Sequence, residues 1–186
     1  LKSGFQISNS TSVYPNATGG DVESLTQQAD IPYSFATTTG ITYDSINGTY
    51  WIQIQNGNTV EYTTAGVATG TSWNAGIVNI RNIAYDSTAD TLWISSASKF
   101  VSEFTKAGVA TGRTFSTGFI GELTYDPNNN TLWIVDTTSS GNQIKEYNLT
   151  TGATLTSLTL GTVYINGLYY KASNNTFWAA ANTAAT

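Results

Sequence analysis

The feature that most constrains this chain is an aromatic repeat. Trp51, Trp93, Trp133 and Trp178 follow one another at intervals of 42, 40 and 45 residues, and a tyrosine stands eight residues ahead of each: Tyr43, Tyr85, Tyr125 and Tyr170. Behind the first three come Tyr62, Phe104 and Tyr147, and eleven residues further Trp73, Phe115 and Leu158. The hexapeptide Ala-Gly-Val-Ala-Thr-Gly occurs twice, at Ala65–Gly70 and Ala107–Gly112. Self-similarity at a fixed period marks stacked supersecondary units, each unable to bury its apolar face alone.

One unit shows what those elements are. Gly40–Tyr43 is a short apolar strand, A. Asp44–Gly48 is a turn in which an aspartate carboxylate accepts nearby backbone N–H groups. Thr49–Gln55 alternates, with Tyr50, Ile52 and Ile54 on one face and Trp51 and Gln53 on the other, which is the period of a strand, B. Asn56-Gly57-Asn58 is a tight hairpin signal. Thr59–Thr63 is strand C, and a strand D follows near Thr71–Trp73. Four short antiparallel strands in about 40 residues is the pattern of a β-propeller blade, and a period of 40 to 45 is too long for leucine-rich or ankyrin arrays.

The fold class expected is therefore all-β: a β-propeller, or a propeller segment, of four-stranded antiparallel blades. The divisions are a partial blade at 1–38, blades at 39–79, 80–119 and 120–163, and a partial blade at 164–186. In the first partial blade Gly4–Ile7 reads as strand B, Ser8–Gly20 as a polar loop, Val22–Thr26 as strand C and Tyr33–Phe35 as strand D. The last supplies only A and B. Three arrangements are open: a four-bladed ring in which the terminal strands complete one blade, an arc of a six- or seven-bladed ring, or pairing of the partial blades between copies by strand addition. The sequence opens at Leu1 and contains no Met, as expected of a processed product or a segment of something longer.

Composition narrows the chemistry. Only 10% of the 186 residues are charged, yet 40% are hydrophobic and 12% aromatic, so the low charge does not signal disorder. The net charge is −5 with scattered Lys and Arg, which disfavours nucleic acid as a partner. There is no Cys and no His, which removes disulfides, thiolate sites, the commonest general base and any Ser-His-Asp triad within the chain. No apolar run has the length of a membrane helix. Neither a cofactor nor a metal site is expected.

The frame Gly-Ile/Leu-x-Tyr-Asp, then Thr-Leu-Trp-Ile, then Ile/Val-x-Glu-Tyr, then Gly, resembles NHL-type and related six- or seven-bladed propeller repeats, most clearly over Gly121–Gly152. Asp44, Asp86 and Asp126 match the family's aspartate after strand A, whereas Lys171 departs from it. Some NHL-like members are lyases or hydrolases that use His or a central metal. Without His, that chemistry has no residues to land on here.

Each recurrent group has a structural reading. Asp44, Asp86 and Asp126 cap their own turns, although carboxylates also bind hard cations. The four equivalent tryptophans pack between neighbouring blades. Glu61, Glu103 and Glu146 alternate with the aromatics of strand C and are expected to face solvent. Six Asn-x-Ser/Thr sequons, at Asn9, Asn16, Asn47, Asn129, Asn148 and Asn174, are possible N-glycosylation sites. The B–C and D–A loops share one rim, where Tyr14, Arg81, Lys99, Glu122 and Asp136 are the side chains able to make specific contacts. The function expected is a non-enzymatic structural or adhesive module of a cell surface, filament or virion, outside the cell. The alternatives are a carbohydrate- or peptide-binding propeller, or a piece of a propeller enzyme whose catalytic residues lie elsewhere. Expected partners are a protein or glycan surface, or a second copy through the partial blades.

Overall fold

The computed structural model describes residues 37–118, 120–138, 141–161 and 163–183. The readings made for residues 1–36, including Tyr14, Asn9 and Asn16, lie outside them. Every regular element among the described residues is a strand. The first sheet is β1 (Thr38–Asp44), β2 (Thr49–Ile54), β3 (Asn58–Thr63) and β4 (Ala68–Asn74). The second is β5 (Ile80–Asp86), β6 (Thr91–Ser96), β7 (Phe100–Thr105) and β8 (Ala110–Ser116). The third is β9 (Ile120–Asp126), β10 (Thr131–Thr138), β11 (Gly141–Asn148) and β12 (Thr154–Gly161). The fourth sheet among the described residues is two-stranded, β13 (Val163–Lys171) and β14 (Thr176–Thr183). Neighbours pair antiparallel in chain order, so each of the first three sheets is a four-stranded meander, and β1, β5, β9 and β13 lie side by side as the inner strands.

The turn chemistry is the one the aspartates dictate. Asp44 Oδ1 accepts the N–H groups of Ile46 and Asn47 at 2.9 and 3.0 Å, and Asp86 and Asp126 do the same for Thr88–Ala89 and Asn128–Asn129. A residue with left-handed backbone closes each of these turns: Gly48, Asp90, Asn130 and, at the last sheet, Asn175. Where that residue carries an oxygen, the strand-A tyrosine donates to it: Tyr85 to Asp90 at 2.6 Å, Tyr125 to Asn130 at 3.0 Å, Tyr170 to Asn175 at 2.6 Å.

Tryptophan joins one sheet to the next. Trp51 clusters with Ile83, Tyr85, Leu92 and Phe104 of the second sheet. Trp93 clusters with Leu123, Tyr125, Leu132 and Tyr147 of the third, and Trp133 packs on Leu168 and Phe177 of the fourth. The indole N–H groups of Trp51 and Trp133 are buried with no hydrogen-bond partner among the described residues, and it is apolar area that packs them there. The outer strands repeat the motif. Trp73 stacks on Phe104 at 5.4 Å and Phe115 on Tyr147 at 5.7 Å. The accommodating positions in the next sheet are Gly108 and Gly152, both with positive φ, where a Cβ would fall 2.5 Å from the Trp73 and Phe115 side chains respectively. Inner strands are also tied by hydroxyls: Tyr85 N–H donates to Thr42 Oγ1 at 3.0 Å and Tyr170 N–H to Thr124 Oγ1 at 3.1 Å.

Two expectations need correction. Trp178 does not share the surroundings of the other three indoles: it is 48% exposed, beside Tyr169 at 57%, on the face of β13–β14 turned away from the third sheet. Trp51, Trp93 and Trp133 are buried because a further sheet covers that face. Glu61, Glu103 and Glu146 do not face solvent but are buried. Their carboxylates accept from a hydroxyl two residues before each tryptophan: Thr49 at 2.8 Å, Thr91 at 2.6 Å and Thr131 at 2.8 Å. In the first two sheets the threonine of the Ala-Gly-Val-Ala-Thr-Gly repeat, Thr69 or Thr111, donates to the same carboxylate. Glu61, Glu103 and Glu146 stand opposite Trp51, Trp93 and Trp133 in register, so they lie on the face that the next sheet covers.

Candidate functional site

The acids of this fold are mostly committed to holding it together. Asp44 is buried, and although desolvation opposes its ionisation, the Asn47 N–H and Lys106 together keep its carboxyl below the usual aspartate range. Lys106 reaches it at 3.1 Å from the second sheet and bridges to Asp90 at 2.5 Å. Glu103 is paired with Arg113, and Asp136 with Lys145. Burial works against the Lys145 charge less strongly than its hydrogen bond to Asp136 favours it, so its pKa is raised.

Glu122 differs. It lies on β9 at the position three residues before the strand-A tyrosine, and the equivalents on the other inner strands are Gly40, Asn82 and Gly167. These positions lie beside one another across the inner strands. Asn82 is 7% exposed, its Oδ1 accepts the Ile83 N–H at 2.7 Å, and its Nδ2 donates to Glu122 Oε2. On the other side Asn82 Oδ1 fills the space a Cβ at Gly40 would need, lying 2.3 Å from it. The glycine of the first sheet thus makes room for the amide that orients the glutamate of the third.

Above this row opens a cleft of about 480 Å³. Thr39 and Gln55 of the first sheet line it, with Asn79, Arg81 and Ala97 of the second and Glu122 of the third. Asn79 belongs to a D–A loop, and Gln55 and Ala97 to B–C turns, so the cleft lies on the rim the loops share. Glu122 is half-buried and Arg81 exposed, and neither takes part in a salt bridge among the described residues. Desolvation dominates at Glu122. The Asn82 amide and the Arg81 charge pull the other way without overcoming it, and the carboxyl is pushed up to about 7 from 4.5.

Of the rim residues read from sequence, Arg81 and Glu122 meet in this cleft, although both lie on strands, β5 and β9, rather than in loops. Lys99 is exposed in the same β6–β7 turn as Ala97, with a left-handed backbone (φ 70°), but does not line the cleft. Asp136 is on β10, 1% exposed and paired with Lys145, so it is part of the scaffold. The sequons at Asn47, Asn129 and Asn174 are exposed in the turns of the opposite rim, and Asn148 is half-buried at the end of β11. Asn82 was missed from sequence. Its only signal was that the residue three before each tyrosine varies, Gly, Asn, Glu, Gly, inside an otherwise constant frame.

A prediction follows from the glutamate. Between pH 4.5 and about 7 the unfolded chain releases this proton while the folded chain keeps it, so stability falls as pH rises through that window. Glu122→Gln keeps an oxygen for Asn82 and removes the charge. It is expected to stabilise the fold by about 2 kcal/mol at pH 8, raising Tm by roughly 5 °C, and to change little at pH 4.5, as read by thermal melts at the two values.

The chain is a β-propeller repeat protein. Its fold is similar to a chain in the crystal structure of a nidogen/laminin complex, with a TM-score of 0.61 over 76% of this chain and 56% of that one, at 16% identity. It is also similar to the crystal structure of RRP9 WD40 repeats, with a TM-score of 0.56 over 80% of this chain and 52% of that one, at 10% identity. This chain spans about half the length of those it matches. No protein-family model and no curated protein matches the sequence.

Proposed function

We propose that this propeller is a non-enzymatic interaction module, structural or adhesive and outside the cell, that engages a protein partner on the rim carrying the Arg81–Glu122 cleft. The observation behind this reading is how the polar residues divide. Those that repeat from sheet to sheet, Asp44/Asp86/Asp126 and Glu61/Glu103/Glu146, are bonded to the scaffold. Those that vary, Asn79, Arg81, Asn82 and Glu122, gather at one end of the inner strands. A fixed frame with a variable rim is the division of labour of a binding scaffold. The comparisons support it to the extent that the nidogen/laminin chain was crystallised as a complex of two proteins. The test is capture of secreted and surface proteins on an array. Ala97→Trp on this rim is expected to weaken any specific hit at least tenfold, whereas Asn47→Ala and Thr88→Ala on the opposite rim leave it intact. The reverse pattern would refute the assignment.

The aromatic face at Trp178 and Tyr169, exposed and without a covering sheet among the described residues, favours a second contact, with another copy of the chain. Its counterpart is the outer face of the first sheet, where Ile41 and Tyr43 are each 43% exposed at positions equivalent to the buried Ile83 and Tyr85. Sedimentation velocity is expected to show concentration-dependent association that Trp178→Glu abolishes. A wild-type chain that stays monomeric throughout would rule this contact out.

A further inference from the structure

The geometry points to a cationic side chain, the ammonium or guanidinium of a lysine or arginine on a partner protein, as the group the cleft receives, seated against the Glu122 carboxylate. This rests on the reading of the rim as a protein-binding surface and goes on to name the chemistry recognised there.

The carboxylates differ in what surrounds them. Asp44, Glu103 and Asp136 each have a cation from the chain itself: Lys106, Arg113 and Lys145. Glu61 and Glu146 accept from hydroxyls. Among the described residues Glu122 forms no ion pair and is bonded to the Asn82 amide, with the Arg81 charge near it, and Asn82 is itself fixed by the Ile83 N–H and by the space Gly40 leaves. The carboxylate is therefore oriented without being neutralised, and it lines a cleft of about 480 Å³, large enough to take the end of a long side chain. Gln55, Asn79 and Thr39 add neutral donors and acceptors around the entrance, suited to the backbone of an inserted segment. An arriving cation would meet a desolvated acid, where a charge-assisted hydrogen bond is strongest.

Among the described residues, none of the charged groups on the packed elements forms an ion pair with Glu122, although Arg81 lines the same cleft. From β5, Arg81 is exposed and forms no ion pair with Glu122, and Asp86 caps the turn at the far end of the strand. On β10, Asp136 is paired with Lys145. On β13, the charged residue is Lys171, which pairs in register with Thr176 at the opposite end of the sheet. On β9 itself, Asp126 is the capping residue of the far turn. With the Glu122 carboxyl pushed up to about 7, only its ionised form pairs with a cation, so affinity is set by proton competition across neutral pH.

The experiment is selection from a random peptide library displayed on phage, with the full chain immobilised at pH 8. The selected peptides are expected to share a Lys or Arg and to bind about 30-fold more weakly at pH 5.5 than at pH 8. They should lose binding to Glu122→Gln, a variant expected to fold at least as well as the parent, and to Ala97→Trp, which blocks the entrance. Peptides that lose binding to Ala97→Trp but carry no basic residue, or bind Glu122→Gln equally, would overturn the cation assignment while leaving the rim as a protein-binding surface. Recovery of no peptide sensitive to Ala97→Trp would overturn it as well, and the protein-array result would then decide the broader reading separately.

Discussion

Replacing Trp93 with alanine is expected to cost about 3–5 kcal/mol of stability, while the same change at Trp178 costs under about 1 kcal/mol. Both residues close the same Thr-aromatic/Leu-Trp run, so propensity and local sequence are matched. What differs is cover. Trp93 is fully buried among Leu123, Tyr125, Leu132 and Tyr147 of the following sheet, with the Phe115 ring at 5.6 Å and the Arg113 guanidinium 5.3 Å from its centre. Truncation would leave a cavity at a boundary between two sheets that cannot close without moving one of them. Trp178 has water on one side. Urea titration followed by circular dichroism reads the difference directly, and equal losses at the two sites would mean that the sheets do not stack through their tryptophans.

The second large effect concerns a buried charge. Glu103 is 1% exposed and is held by Thr91, Thr111 and a two-pronged contact from Arg113, whose Nε lies 2.6 Å from Oε2. Arg113 is 39% exposed at its side chain, so it can regain water when the pair is broken, whereas the carboxylate cannot. Arg113→Ala is therefore expected to be the costly direction, about 3 kcal/mol, because it strands a buried anion with two hydroxyls. Adding Glu103→Gln should return more than half of that loss, since the amide keeps an acceptor for Thr91 without the charge. If the double variant is no more stable than Arg113→Ala, the loss comes from the contact with Trp93 instead.

These effects also show where sequence reading works on a stacked β-fold and where it stops. The period was legible because each sheet meets its neighbour through the same few large side chains, and the Asp44, Asp86 and Asp126 turns were legible because capping is local. The burial of Glu61, Glu103 and Glu146 was not, because it follows from their register opposite Trp51, Trp93 and Trp133 on the face the next sheet covers. The clue was the threonine two residues before each tryptophan, which pairs across strands with no signature in a one-dimensional pattern. Arg81 and Glu122 were readable as rim residues, but the cleft was not: it depends on Asn82 reaching sideways to Glu122 across two inner strands 40 residues apart in sequence. That contact in turn needs a glycine at position 40. Non-local geometry of this kind leaves only variation within a repeat as its trace.

The functional account comes down to one group, a carboxyl that the fold orients and desolvates but does not neutralise. A carbon-13 NMR titration of the Glu122 side-chain carboxyl in the free protein tests it most directly. The account predicts a midpoint near pH 7; an ordinary glutamate midpoint near 4.5 would contradict it.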